Sequence, residues 1–392
     1  MNRKRVLFVI TSFATGGINR AMQNYLNRVD TSSYEIDIFA LAHQGIYINQ
    51  FSNCRVLPSN RAIDLVFSRF DGKKGIAKIG SALTKAIDKL SKGKYRRLLF
   101  KLVGSRLLKK EEYDAIIGYG EGAPKTFVSM MNHPNKIGWI HCDYASYFQI
   151  NNGISERNIF DKLNSIVCVS EYTKQSFLSF FPDMRGKTFA IYNVMDDEMM
   201  HKQSLEPIDE SFDHKFFNIV SVGRLDPVKR LSIIPQIARQ IEDAGVNLRW
   251  FVIGPKGGNS IEYNKLYEHI AQYGVEDAVF PLGEKSNPYP YIAKADLLVN
   301  TSVSEACPYV INEAKILGTP VVCADFGSAK EFIENSVNGF YVPIETMASV
   351  IIRLAQNDSN LNLMRNNLLG FKYDNARIMN QIDALIQRYS HT

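Results

Sequence analysis

Residues 300–325 read N-T-S-V-S-E-A-C-P-Y-V-I-N-E-A-K-I-L-G-T-P-V-V-C-A-D. An apolar strand over 296–299 feeds a loop carrying Glu305. Pro308 suits the first turn of a helix, where a missing N–H costs nothing, and Gly318 suits the C-terminal cap before a second apolar strand over 320–324. Glu305 and Glu313 then flank one helix N-terminus. Free N–H groups and a partial positive charge make such an end a seat for a phosphate or a polarised sugar, and carboxylates beside it can grip hydroxyls. The plainer alternative is a solvated loop glutamate and a first-turn glutamate favoured by the helix dipole.

Upstream, the run F-N-I-V-S-V over 217–222 is another strand, and it opens into Gly223-Arg224-Leu225-Asp226-Pro227-Val228-Lys229-Arg230. Two cations five residues apart, at a strand end and the following helix start, can neutralise a diphosphate as it becomes a leaving group. A solvated basic turn is the alternative, and Lys229 and Arg230 are interchangeable at this level. Strands over 248–253 and 279–282 end in Gly254-Pro255 and Gly283-Glu284.

The N-terminus, M-N-R-K-R-V-L-F-V-I, briefly imitates a signal peptide. Its apolar run is short and meets Thr11, Ser12 and Gly16-Gly17, which predicts a buried first strand over 6–10, a glycine turn and a helix over 18–29. A bare Gly-Gly at that place is more often a tight turn than a phosphate cradle. Further strands are expected over 34–41, 114–119, 136–140, 165–169 and 188–192, with Ser170 capping a helix over 171–180. His141 follows one strand directly, in W-I-H-C-D-Y, where open α/β sheets keep functional groups. A His near an Asp, here Asp143, is otherwise a structural hydrogen-bonding group.

At 392 residues, two domains are expected, and 45% hydrophobic with 22% charged residues is ordinary for a globular chain. The five cysteines, Cys54, Cys142, Cys168, Cys307 and Cys323, contain no C-x-x-C pair, which favours reduced thiols in a cytosolic protein over a disulfide frame or a zinc site. No run approaches the roughly 18 apolar residues of a spanning helix. Of the net charge of +6, residues 73–110 hold thirteen Lys or Arg against one acid, Asp88, so the rest of the chain is acidic. Ile76, Ile79, Leu83, Ile87 and Leu90 recur there at helical spacing, as do Leu98, Leu102 and Leu107. Three readings stand: surface helices with apolar faces on the core, a face lying on anionic lipid, or a nucleic-acid patch, the last without any recognised module to accompany it.

The segment S-E-A-C-P-Y-V-I-N-E-A-K-I-L-G-T-P-V-V resembles the E-x7-E segment of retaining family 4 glycosyltransferases, which have the GT-B fold. G-R-L-D-P-V-K resembles the family's G-R-L-x-x-x-K, T-G-G-I-N-R its first-loop motif, and N-P-Y-P-Y-I-A-K-A-D resembles bacterial polysaccharide transferases. The resemblance implies an α/β chain of two doubly wound Rossmann-like domains facing a cleft. It implies an acceptor-side domain over 1–195 with a crossover helix in 373–392, a linker over 196–213 and a nucleotide-sugar domain over 214–372.

It also implies roles. Glu313 holds the nucleotide ribose, while Glu305 lies beside the donor sugar with the backbone around Ala306, Cys307, Tyr309 and Val310; Pro308 removes one amide contact. Arg224 and Lys229 take the diphosphate, Gly16 and Gly17 face it, the loops after Gly254 and Gly283 bracket the base, and His141 lies near the sugar, with Asp143 as a weaker candidate. The expected activity is retaining transfer of a sugar, UDP-hexose foremost, to a glycan or lipid-linked oligosaccharide in bacterial surface polysaccharide synthesis. No cofactor, metal or nucleic acid is expected, and the place of action would be cytoplasmic, peripheral at the inner membrane face, with residues 73–110 on anionic lipid. A GT-B nucleotide-sugar epimerase and a catalytically silent partner subunit are the alternatives.

Overall fold

The computed structural model describes residues 3–14, 16–68, 76–257 and 261–388. It divides into two units, one made of the chain up to Met195 together with the C-terminal segment from Asp374, the other of Asp196–Tyr373.

In the first unit seven parallel strands form one sheet: β1 (Lys4–Ser12), β2 (Tyr34–Ala42), β3 (Arg55–Val56), β4 (Ala115–Tyr119), β5 (Lys136–Ile140), β6 (Ser165–Cys168) and β7 (Thr188–Ala190), in the order β3-β2-β1-β4-β5-β6-β7. The apolar run that predicted β1 is central, with Val6 opposite Ile36 on one side and Ala115 on the other. Residues 6–10 are at most 1% exposed, as a strand covered on both faces requires. Six parallel strands make the second unit: β8 (Phe217–Val222), β9 (Leu248–Ile253), β10 (Val279–Gly283), β11 (Leu297–Asn300), β12 (Val321–Ala324) and β13 (Gly339–Val342), ordered β10-β9-β8-β11-β12-β13. Its core joins Trp250, Leu297 and Val322 from the sheet to Ile237, Ile241 and Leu354 from covering helices.

Both sheets are doubly wound, and in both the strand order reverses beside the first strand, between β1 and β4 and between β8 and β11. At such a switch point the loops leaving the carboxyl ends of adjacent strands diverge and open a crevice where ligands bind.

Helices of the first unit include α1 (Gly17–Arg28), α2 (Arg61–Phe67), α3 (Ile76–Leu90), α4 (Lys94–Lys110), α5 (Ala123–Ser129) and α6 (Tyr144–Ile150). The C-terminal helix Asn375–Gln387 belongs to this unit and buries Ile378, Ile382, Leu385 and Ile386, while residues 389–392 of the expected 373–392 segment lie outside the described residues. Its Asn375 clamps the last residue of the first stretch: Met195 N–H donates to Asn375 Oδ1 at 3.0 Å and Asn375 Nδ2 donates to Met195 O at 2.9 Å.

Two sequence expectations need correction. The stretch 196–213 is not simply a linker, because Asp197–Ser204 is a helix of the second unit, capped by Asp196 accepting from Met199 N–H. Of its acidic residues, Asp197 and Glu198 are first-turn residues complementing the helix dipole and Asp196 is the cap.

In the basic segment the apolar face of α3 does not lie on the core. Ile79, Leu83, Ile87 and Leu90 are 70%, 62%, 41% and 84% exposed. Ser81 and Thr84 are buried instead, and Ser81 Oγ donates to Leu65 O of α2. On α4 Phe100 and Val103 are buried, leaving Leu98 and Leu102 exposed. Lys73 and Lys74 lie outside the described residues.

Candidate active site

The second unit gathers its chemistry at the β8/β11 switch point. After β8 the chain turns through Gly223, Arg224 and Asp226, and Lys229 N–H donates to Asp226 Oδ1 at 3.1 Å, which fixes the turn. The β11 loop is stitched to it: Val303 N–H donates to Val228 O at 2.8 Å, Thr301 Oγ1 to Lys229 O at 2.8 Å, and Arg230 Nε to Thr301 O at 3.2 Å. These bonds bring Lys229 Nζ to 2.5 Å from Glu305 Oε1, which also accepts from Ser302 Oγ at 2.7 Å. Ser328 Oγ donates to Glu305 O at 2.8 Å and steadies the loop from below.

The geometry separates Lys229 from Arg230, which the sequence left interchangeable. The ammonium is at the carboxylate; the guanidinium is spent on a backbone carbonyl, and Arg230 itself adopts a left-handed backbone with φ 51°. Arg224 has its side chain 61% exposed, with Nη2 at 3.0 Å from Asp226 Oδ2. A surface pair of this kind is weak and readily exchanged for a stronger anion.

Glu305 precedes the eight-residue helix Tyr309–Ile316. Pro308 is its N-cap residue and not a first-turn residue, because its ψ of 107° is extended. Ala306, Cys307, Tyr309 and Val310 surround that N-terminus in sequence, and its N-cap Pro308 makes no side-chain cap hydrogen bond. Glu313 is the fifth residue of the helix, 1% exposed, so it is not the first-turn glutamate of the plainer reading. Gly254 packs against the same turn. A Cβ there would stand 1.8 Å from Gly223 O, so only glycine allows the β8 and β9 loops to touch.

In the first unit the β1 loop delivers Gly16 and Gly17 to the start of α1. Gly16 is extended and a Cβ on it would meet nothing within 4 Å, so neither backbone nor packing demands glycine there. His141 leaves β5 with its ring against Tyr119, centroids 4.6 Å apart. Its Nε2 is buried without a hydrogen-bond partner among the described residues, and burial lowers the imidazole pKa to about 4, so the ring is neutral at pH 7.

Asp143, the weaker neighbour, is a structural cap. Its carboxylate accepts from Ala145 and Ser146 N–H groups at the start of α6 and from the hydroxyls of Ser146 and Ser176. Burial works to raise its pKa, but those hydrogen bonds outweigh it and hold the carboxyl below the usual range.

Sequence reasoning missed Glu121. It stands between Gly120 and Gly122, both at positive φ, in the turn after β4, and its Oε1 accepts the backbone N–H of His141. An acid between two glycines at the end of a buried strand was the available signal.

Residues 203–368 match the family model described as Glycosyl transferases group 1, a match that falls wholly within the second unit. The chain is 24% identical over 163 residues to an uncharacterized glycosyltransferase, MJ1059, of Methanocaldococcus jannaschii, covering 41% of this chain and 39% of the relative. It is 26% identical over 193 residues to the N-acetylgalactosamine-N,N'-diacetylbacillosaminyl-diphospho-undecaprenol 4-alpha-N-acetylgalactosaminyltransferase of Campylobacter jejuni, covering 49% of this chain and 50% of the relative. The chain thus spans half or less of the length of these two relatives. Among solved structures, Anabaena Alr3699/HepE in complex with UDP aligns with a TM-score of 0.71 at 18% identity, over 98% of this chain and 100% of the other. That likeness shows the fold, two Rossmann-like units of the GT-B kind.

Proposed function

We propose, from the match of the second unit to the group 1 glycosyl transferases, that the protein moves a sugar from a nucleotide-sugar donor, foremost a UDP-hexose, to a glycan or lipid-linked acceptor with retention at the anomeric carbon. The observation that carries this reading is the Lys229–Glu305 pair beside Arg224 at a switch point, inside the matched region. Without donor, Lys229 and Glu305 neutralise each other. A diphosphate is a stronger partner for the ammonium, so its arrival would hand Lys229 to the phosphates and release Glu305 to the sugar hydroxyls. Arg224, already exposed, would share the phosphate charge as the bond to the sugar lengthens, which is transition-state stabilisation by fixed cations.

Glu305 serves the hydroxyls in this reading and forms no covalent bond. The acceptor hydroxyl attacks from the face the diphosphate is leaving, a phosphate oxygen takes its proton, and the diphosphate departs with the electron pair of the broken bond. His141 is neutral and donates or accepts a hydrogen bond at the sugar without acting as the base. Glu313 would hold the ribose, Gly16 and Gly17 the phosphates, and the Gly254 loop the base.

A lipid-linked acceptor is supported by the Campylobacter relative, whose name contains a diphospho-undecaprenol, and by the basic segment 73–110, which suits an anionic membrane surface at the inner face. Among the described residues no helix is long and apolar enough to cross a membrane. The test is a panel of UDP-hexoses with polyprenyl-diphosphate sugars in excess chelator, with the product read by NMR. A retained anomeric configuration without divalent ion is expected. An inverted centre, or activity abolished by chelation and restored by a divalent ion, overturns the mechanism.

A further inference from the structure

Helix α3 is built inside out. At 100° per residue Ile79, Leu83, Ile87 and Leu90 fall within an arc of about 80°, and all four are exposed. The side held against the protein is polar and small: Ser81 bonds to Leu65 O, Thr84 to Gly80 O in its own helix, and Lys85 Nζ to Ser68 O. A helix that serves only the core would be turned the other way, because exposing four large aliphatic side chains forgoes their burial. An uninterrupted aliphatic stripe on a monomer's surface marks contact with something apolar.

The charges around the stripe select the partner. Lys78 and Lys89 run along one side of it, and Lys92, Lys94, Arg97 and Lys101 continue the exposed basic surface into α4 beside Leu98 and Leu102. Asp88, the one acid in the segment, is taken up by Arg96, whose backbone N–H it accepts at 3.1 Å. Nucleic acid has no use for the aliphatic stripe. A second copy of this chain laid face to face would set lysines against the same lysines. An anionic bilayer answers both features, with acyl chains for the stripe and phosphates for the ammonium groups, whose stems can reach past the apolar residues.

We propose that α3 lies flat in the interface of an anionic bilayer, with Ile79, Leu83, Ile87 and Leu90 at the acyl boundary and the adjoining lysines on the lipid phosphates. This deepens the reading of a membrane-borne acceptor, and only its functional sense rests on that reading; insertion itself rests on the stripe, which attraction by charge alone would leave in water. Insertion predicts a part of the binding that high salt does not remove, because screening weakens the charges and leaves the buried aliphatic area untouched.

The experiment uses the full chain with phosphatidylcholine vesicles, with and without phosphatidylglycerol. Both native tryptophans, Trp139 and Trp250, are buried, so Leu83→Trp introduces the one exposed indole. Its emission should shift to the blue on phosphatidylglycerol vesicles and be quenched by lipids brominated along the acyl chain. In sedimentation, Leu83→Ser and Ile87→Ser should each weaken partition by about tenfold. Both positions are exposed, so folding is checked by an unchanged melting temperature.

Loss of binding on Lys89→Glu and Lys92→Glu, with no effect of the serine variants and no indole shift, overturns insertion and leaves only attraction by charge. No binding to either vesicle overturns both. Self-association in solution that Leu83→Ser abolishes assigns the stripe to a second copy and also overturns the proposal. Nucleotide-sugar binding by the same variants is read separately. If donor never binds but insertion holds, the transferase reading fails and this one stands.

Discussion

Lys229 and Glu305, 76 residues apart in sequence, meet at 2.5 Å because the β8 and β11 loops leave neighbouring strands at the point where the sheet order reverses. Their side chains are 25% and 12% exposed, so neither ion is fully hydrated and each depends on the other until a ligand arrives. Lys229→Ala should cut turnover by about 10²–10³, the scale of losing one preorganised charge in a transition state. It should destabilise the fold by at most about 3 kcal/mol, because the pair retains some water. Arg224→Ala should lower turnover without moving stability, since its side chain is exposed. Near-normal turnover in either variant, in protein that melts normally, refutes the diphosphate role.

The two glycine sites should separate packing from ligand approach. Gly254→Ala must push a methyl into the Gly223 carbonyl and should cost about 2 kcal/mol or more in urea unfolding. Gly16→Ala has open space and ordinary backbone, so stability should change by no more than about 0.5 kcal/mol. Donor affinity measured by calorimetry should nevertheless fall about tenfold. Equal affinity for wild type and Gly16→Ala removes Gly16 from the phosphate site.

His141 makes stability depend on pH in a defined direction. Its folded pKa of about 4 lies below the ordinary 6.5, so between those values the unfolded chain binds more protons and stability rises with pH. The contribution is complete above the unfolded value and is lost as pH falls toward 4. His141→Gln should flatten this acid limb in urea titrations at stepped pH. In the wild type, transfer rates should show no titration of this ring above pH 5, and a limb near 6.5 that His141→Gln abolishes would contradict the neutral assignment.

Asp143→Ala should behave as a capping variant. The helix α6 loses a carboxylate that serves two backbone N–H groups, a loss of about 1 kcal/mol. Because hydrogen bonding depresses the pKa of that carboxyl against the effect of burial, its contribution is present above the ordinary carboxylate range and disappears as acid protonates it. Turnover at neutral pH should remain within a few-fold of wild type. A loss comparable to that of Lys229→Ala would return Asp143 to the site.

What the sequence made legible was whatever repeats locally. Runs such as 6–10 and 248–253 read as buried strands, and Ser170 caps its helix as expected, with Thr173 completing the cap, because these depend on neighbours a few residues away. Arg224, Lys229 and Glu305 were visible as motif residues, but their relation was not. It needed the strand order, which places β11 beside β8 with two strands intervening in the chain.

Glu121 could be noticed as an acid between two glycines, but its partner could not, since that partner is a backbone N–H on the next strand's loop and no side-chain pattern records it. The face of α3 was misjudged in one of its readings because periodicity shows that a helix has an apolar side, and not which way the side turns. That was decided by Ser81 and Lys85 finding carbonyls on α2 and just beyond it.

The clamp between Asn375 and Met195 changes how the chain's connectivity should be regarded. For the first unit, everything from Asp196 to Tyr373 is a guest, entering and leaving at one doorway held by two hydrogen bonds of a single amide. While the guest is folded, its ends are already together. If it melts, the host must hold closed a random coil of roughly 180 residues, an entropic load of about 4–5 kcal/mol by the logarithmic law of loop closure. The two units are therefore thermodynamically joined through chain entropy, whatever else joins them. Replacing the guest by a few flexible residues would lift that load from the host.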